Sequence, residues 1–185
     1  MNRLFLLVVF LSCGAVWSQS ATESVATRSE QSLKQVFAAP VLQAYQENST
    51  IKMQELFFYL QQLTQGSLEP SLRTELETAC LALFVHEKTL VVDVTAPTPT
   101  LIPIDQLLQK LALTAPLQIT LSETVKYNAV TLNSWKNGFT IQCFQNESSR
   151  KFALAQTIYF QLQPQQFGAH QQYTYQYRLG DMELR

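Results

Sequence analysis

The chain has 185 residues, 46% of them hydrophobic and 15% charged, with a formal net charge of -1. That content supports one packed domain and excludes general disorder. With no cluster of Lys and Arg, it also excludes binding to a nucleic-acid phosphate backbone.

Arg3 precedes an uninterrupted apolar run, Leu4 to Leu11, which ends at Ser12 to Gly14. A basic start followed by an apolar stretch too short to span a bilayer has the form of an export signal. Val16 and Ser18 suit cleavage before Gln19, so residues 1–18 are read as a signal peptide and the product as periplasmic or secreted. The alternative is cleavage before Cys13, leaving a lipid anchor there. Phe10 occupies the position where that signal favours Leu, so release is the preferred reading. No later stretch is long and apolar enough to be a transmembrane span. Residues 19–31 are small and polar, a flexible lead-in, and residues 32–185 form a single domain.

In SLKQVFAA, Leu33, Val36 and Phe37 recur at helical spacing up to Pro40. VLQAYQENST predicts a further short helical turn, with Thr50 capping the next helix. That helix carries Met53, Leu56, Phe57, Leu60 and Leu63 on one stripe and ends at Gly66. Glu69 and Pro70 start another, with Leu72, Leu76, Ala79, Cys80, Leu83 and Phe84 on its inner face. Thr89 to Val94 is β-branched and predicts a strand, alternation turning Asp93 towards solvent. A proline-rich crossing leads to IDQLLQKLAL, a third main helix with Ile104, Leu107, Leu108 and Leu111 inside.

After Pro116 the hydrophobic period becomes two. LQITLSETVKYNAVTLN reads as one long or two broken strands. Asn137-Gly138 predicts a hairpin turn, with Trp135 at or beside its tip, either tucked against the sheet or offered to a partner. FTIQCF returns, QNESSR turns again, and KFALAQTIYFQLQ alternates with Gln156 as its one polar interruption. PQQFGAH turns. The last strand places Tyr173, Tyr175 and Tyr177 on one face, and Gly180 predicts a bulge. The fold class is therefore α+β: N-terminal helices packed on one face of a curved antiparallel sheet of about four to six strands.

Cys80 and Cys143 remain after signal removal. An even pair in an exported chain admits a disulfide. Their apolar settings favour two buried free thiols.

This order, from Leu33 to Leu184, resembles the NTF2-like family, the cystatin-like α+β cone. The resemblance implies helices against a strongly bent sheet. It leaves function among dehydratases, isomerases, small-ligand binders and non-enzymatic protein-binding modules. Enzymatic members place a His or Asp at the mouth of the cone. Here His86 and His170 fall in connections, and Asp93, Asp105 and Asp181 stand without a second carboxylate or a His in sequence. No catalytic, cofactor-binding or metal-ligating residue is assigned, and no cofactor is expected. The reading is an exported, non-enzymatic protein-interaction or assembly module of the cell envelope or extracellular space. Its surface would include Trp135, Tyr173, Tyr175 and Tyr177, with a protein partner or self-association ahead of a small molecule. The alternative is an NTF2-like small-ligand-binding protein or cone-type enzyme with an apolar pocket.

Overall fold

A computed structural model describes residues 33–185 apart from 123, 124, 129 and 169. The expected signal peptide, Cys13 and the lead-in lie outside the described residues. The first element, α1 (Leu33–Val36), is a single turn. Helix α2 (Ala39–Leu63) begins with Pro40 in its first turn, where no backbone N–H is needed. It is one continuous helix of 25 residues, not the two expected. Thr50 does not cap it but sits in its interior, its hydroxyl 3.0 Å from the Tyr127 hydroxyl. Ser49 points inward and donates to the Gln46 carbonyl, 2.6 Å away, so the polar NST stretch is accommodated without a break. Leu42, Met53, Leu56, Phe57, Leu60 and Leu63 form its buried stripe.

Helix α3 (Pro70–Ala82) folds back on α2. Only Cys80 within it is fully buried, and Leu72 is exposed, so α3 covers the outside of the bundle and enters the core at its C-terminal end. Strands β1 (Leu90–Val92) and β2 (Leu101–Pro103) pair with each other in a small separate sheet. Helix α4 (Ile104–Leu111) buries the four apolar residues expected of it. Among the described residues, no helix is long and apolar enough to cross a membrane.

The second half is a strongly curled antiparallel sheet against which the helices pack. Its strands are β3 (Gln118–Leu121), β4 (Lys126–Asn128), β5 (Ser134–Gln145), β6 (Ser148–Phe167) and β7 (His170–Leu184). β3 and β4 share one edge of β5, and β6 then β7 lie on the other side. The β5–β6 turn is Asn146-Glu147, both at positive φ. Asn137-Gly138 is not a turn: it lies inside β5, opposite Gln156 and Ala155. Asn137 is fully buried and donates through Nδ2 to Ser49 Oγ at 2.9 Å and towards Met53 Sδ at 3.2 Å. These long-range partners override a dipeptide preference that operates only locally. The PQQ stretch is likewise strand, not turn, with reversal delayed to Gly168 at φ 60°.

The bulge expected at Gly180 is present. Between Leu179 and Met182, two residues of β7 oppose the single Thr157 of β6. A Cβ at Gly180 would run into the Tyr159 ring, so the bulge requires glycine.

Candidate interaction surface

β5 has 12 residues and β6 has 20, so β6 and its partner β7 outrun the rest of the sheet. β5 begins at Ser134, opposite Tyr159. Just before it the chain bends away, held by Thr131 N–H donating to the Ser134 carbonyl at 2.8 Å. The Phe160 N–H donates to the Asn133 carbonyl at 2.6 Å, the last bond between this side of β6 and the sheet. Beyond it, among the described residues, β6 pairs with β7 alone, and residues 161–167 and 170–176 form a two-stranded ribbon.

One face of the ribbon carries the cross-strand pairs Phe160–Tyr177, Leu162–Tyr175 and Pro164–Tyr173. It continues the helix-facing side of the sheet. At its root Phe160 lies 4.8 Å from Tyr45 and 5.4 Å from Phe37, both edge-on, and stacks on Tyr175 at 4.8 Å. Exposure then rises outward: Tyr177 is half-buried, Tyr175 is 39% exposed and Tyr173 66% exposed, with Leu162 at 45%. The apolar layer thus leaves the core as an open strip. The other face is Gln161, Gln163, Gln165, Gln172, Thr174 and Gln176, neutral and polar, with Thr174 Oγ1 donating to Gln165 Oε1 at 2.9 Å.

The outer edge of β7 changes character along its length. Leu179 exchanges backbone bonds with Leu83 and Val85 at 2.9 and 3.0 Å, and Asp181 Oδ1 accepts the Leu90 N–H at 2.8 Å. Lys52 Nζ caps the Tyr177 carbonyl at 3.1 Å and lies 4.7 Å from that ring's centroid. Burial first, and then Arg178, lowers the Lys52 pKa. Antiparallel alternation turns the backbone groups of Gln171, Tyr173 and Tyr175 the same way as those of Leu179 and Tyr177. No backbone partner meets these three residues on that side among the described residues. No Asp, Glu, Lys or Arg occurs from Phe160 to Tyr177.

Trp135 does not belong to this surface. It is fully buried on β5 opposite Ile158, 6.0 Å from Phe160 and 6.5 Å from Tyr177, and it anchors the root of the ribbon from inside. With no turn at Asn137-Gly138, there is no hairpin tip to present it. Asp93 is likewise buried, not turned to solvent. Its Oδ2 accepts from Lys110 Nζ at 2.6 Å, and its Oδ1 accepts from the Thr95 hydroxyl and N–H at 2.6 and 3.0 Å. Asp105 pairs with Lys88. His86 and His170 are exposed. An open groove of about 800 Å³ lies where His86 and Lys88 face Ala82 and Arg178. The Arg178 guanidinium is already engaged there, donating to the Ala82 carbonyl at 2.7 Å. Among the described residues no group of three or more His, Cys, Asp or Glu is placed to hold a metal ion.

Cys80 and Cys143 are both buried free thiols. Burial pushes Cys80 up to about 12, with a smaller push from Glu77. It pushes Cys143 up to about 11 against a smaller opposing effect of Arg150. Because the thiolate is the reactive form, alkylation of the native protein at neutral pH is expected to leave both peptides unmodified. Alkylation in denaturant should modify both, without prior reduction. Peptide mapping checks this. A requirement for reductant would establish the disulfide instead.

Reading residue types alone missed Pro164, Lys52 and Phe37 as parts of this region. Sequence carries no signal for the ribbon, because the apolar alternation that begins at Phe152 stops at Leu162, before the strand does. No family model matches the sequence, nor does any curated protein.

Proposed function

We propose that the chain is an exported, non-enzymatic protein-interaction or assembly module on an NTF2-like cone, and that its working surface is the β6–β7 ribbon. The observation that carries this reading is the ribbon's continuation past the sheet, with an exposed aromatic strip and an edge that meets no backbone partner among the described residues. Edges of this kind accept an added strand, main-chain bonds supplying affinity and alternate side chains specificity. A photo-crosslinking amino acid at Tyr173, compared with one at Leu113, tests it. Leu113 is 94% exposed but stands apart from the ribbon. Crosslinks to protein from position 173 and none from 113 are expected in the producing cell. Equal yields at both, or none at either, would contradict the reading.

A second reading, a small-ligand-binding cone, draws support from the helix-facing side of the sheet. There Asn137 Oδ1 and Gln156 Oε1, on directly paired residues, are buried without a hydrogen-bond partner among the described residues. Buried polar atoms of this kind ordinarily meet water or a ligand. Native mass spectrometry of the purified protein tests it, through a retained small molecule that Asn137→Leu abolishes.

A further inference from the structure

The edge of β7 that meets no backbone partner among the described residues has two properties that select its occupant. It is short, and it is the better of the ribbon's two edges. The lower limit is the turn at Gly168, and the upper limit is Tyr177, whose carbonyl Lys52 already occupies. Leu179 beyond it is bonded to Leu83 and Val85. The remaining outward-facing groups are those of Gln171, Tyr173 and Tyr175. The opposite edge, on β6, is blunted by Pro164. Its nitrogen points outward, as the Phe160 N–H does four residues earlier, and it has no hydrogen to donate. Natural edges are commonly protected by Lys or Pro. β6 has its Pro, whereas β7 from Gln171 to Tyr175 has neither.

We infer that the occupant of this edge is a second copy of the same chain, paired antiparallel about a two-fold axis at Tyr173. This inference rests on the reading of the ribbon as an interaction surface. In that register Tyr173 faces its own copy, and Gln171 faces Tyr175 of the other chain on both sides of the axis. All three are residues whose N–H and C=O point outward, so each pair exchanges both bonds of a hydrogen-bonded antiparallel pair. A register shifted by one residue would oppose outward groups to inward ones and forfeit those bonds. The segment is uncharged, so two copies approach without repulsion. For the same reason it offers a charged peptide no complementary group. Tyr173 and Tyr175 of one chain would extend the apolar strip of the other. Antiparallel ribbons overlapping only near their tips place the two domains at opposite ends, roughly 13 Å of ribbon separating Tyr173 from Tyr177 on each side. The two-fold contact consumes the β7 edge of both copies while Pro164 blocks β6, so the assembly closes at a dimer and does not grow.

The test is sedimentation equilibrium of the mature chain between about 1 and 300 µM, a range that covers micromolar association. Wild type is expected to pass from monomer to dimer and no further. Tyr173→Pro removes one outward N–H and no bond of the ribbon itself, and is expected to weaken dimerisation at least about tenfold. Tyr173→Val keeps that N–H and should dimerise within a few-fold of wild type. Under mild oxidation Tyr173→Cys should form a covalent dimer, since hydrogen-bonded antiparallel partners lie at about 5.5 Å between Cα atoms, within disulfide range. Gln161→Cys, on the other face of β6, should not. A wild type monomeric throughout, or a dimer indifferent to Tyr173→Pro, overturns the inference. If position 173 then still crosslinks to a different protein, the interaction reading survives and only the second copy is excluded. If it crosslinks to nothing, both fall.

Discussion

Trp135→Ala is expected to destabilise the protein by about 3–5 kcal/mol, the usual cost of deleting a large buried aromatic. The indole is fully buried, and its removal would leave Phe160 and Tyr177 facing a void at the point where the ribbon joins the sheet. Its Nε1 has no hydrogen-bond partner among the described residues, so the polar atom contributes little and the volume contributes most. Trp135→Phe should therefore cost much less, about 1–2 kcal/mol, the cost of a partial loss of volume. Urea unfolding of the two variants measures both. An alanine variant within about 1 kcal/mol of wild type would mean that the side chain is not in the core.

The second large effect is expected at Lys110. Burial alone would raise the Asp93 carboxyl, but hydrogen bonds from Lys110 and Thr95 outweigh it and hold the group below its ordinary value. A carboxyl depressed on folding contributes stability above its unfolded value, near 3.9, and loses it as pH falls through the folded value. Lys110→Met removes the largest of the lowering contributions and leaves a buried carboxylate held by Thr95 alone. A cost of about 2–3 kcal/mol is expected at neutral pH, below the full cost of breaking a deeply buried pair because the lysine side chain is half exposed. The difference from wild type should shrink as pH drops below about 4, where Asp93 protonates in the variant without having to break an ion pair. Urea midpoints of both proteins from pH 7 down to about 3 check the sign. A gap that widens on acidification would contradict the assignment.

Much of the architecture was readable from residue patterns, where short-range physics decides. The stripe Ile104, Leu107, Leu108 and Leu111 has a single amphipathic solution, and it is the buried face of α4. The Tyr173, Tyr175, Tyr177 alternation shares one face because a strand has period two. Gly180 marked its bulge because a glycine amid alternating bulky residues has few other uses. The errors at Asn137 and Asp93 involve partners distant in sequence. Asn137-Gly138 has the composition of a turn, yet Ser49 and Met53 hold Asn137 inside a strand. Asp93 turns inward because Lys110, a helix away, reaches it. Residue pattern alone leaves Trp135 between core and surface, and its burial inside β5, opposite Ile158, puts it in the core. The ribbon itself was not readable, because it arises from a mismatch of lengths between β5 and β6, and no residue announces where β5 begins.

The most direct test of the account is residue-resolved hydrogen exchange along β7 at a concentration where sedimentation shows the chain to be monomeric. Alternation is predicted from Gln171 to Gln176. The amides of Gln172, Thr174 and Gln176 point at β6 and should be protected. Those of Gln171, Tyr173 and Tyr175 point away and should exchange nearly as fast as in an unfolded chain, slowing as concentration rises. Uniformly fast exchange would show that the ribbon does not form. Uniform protection at high dilution would show that its edge is already covered.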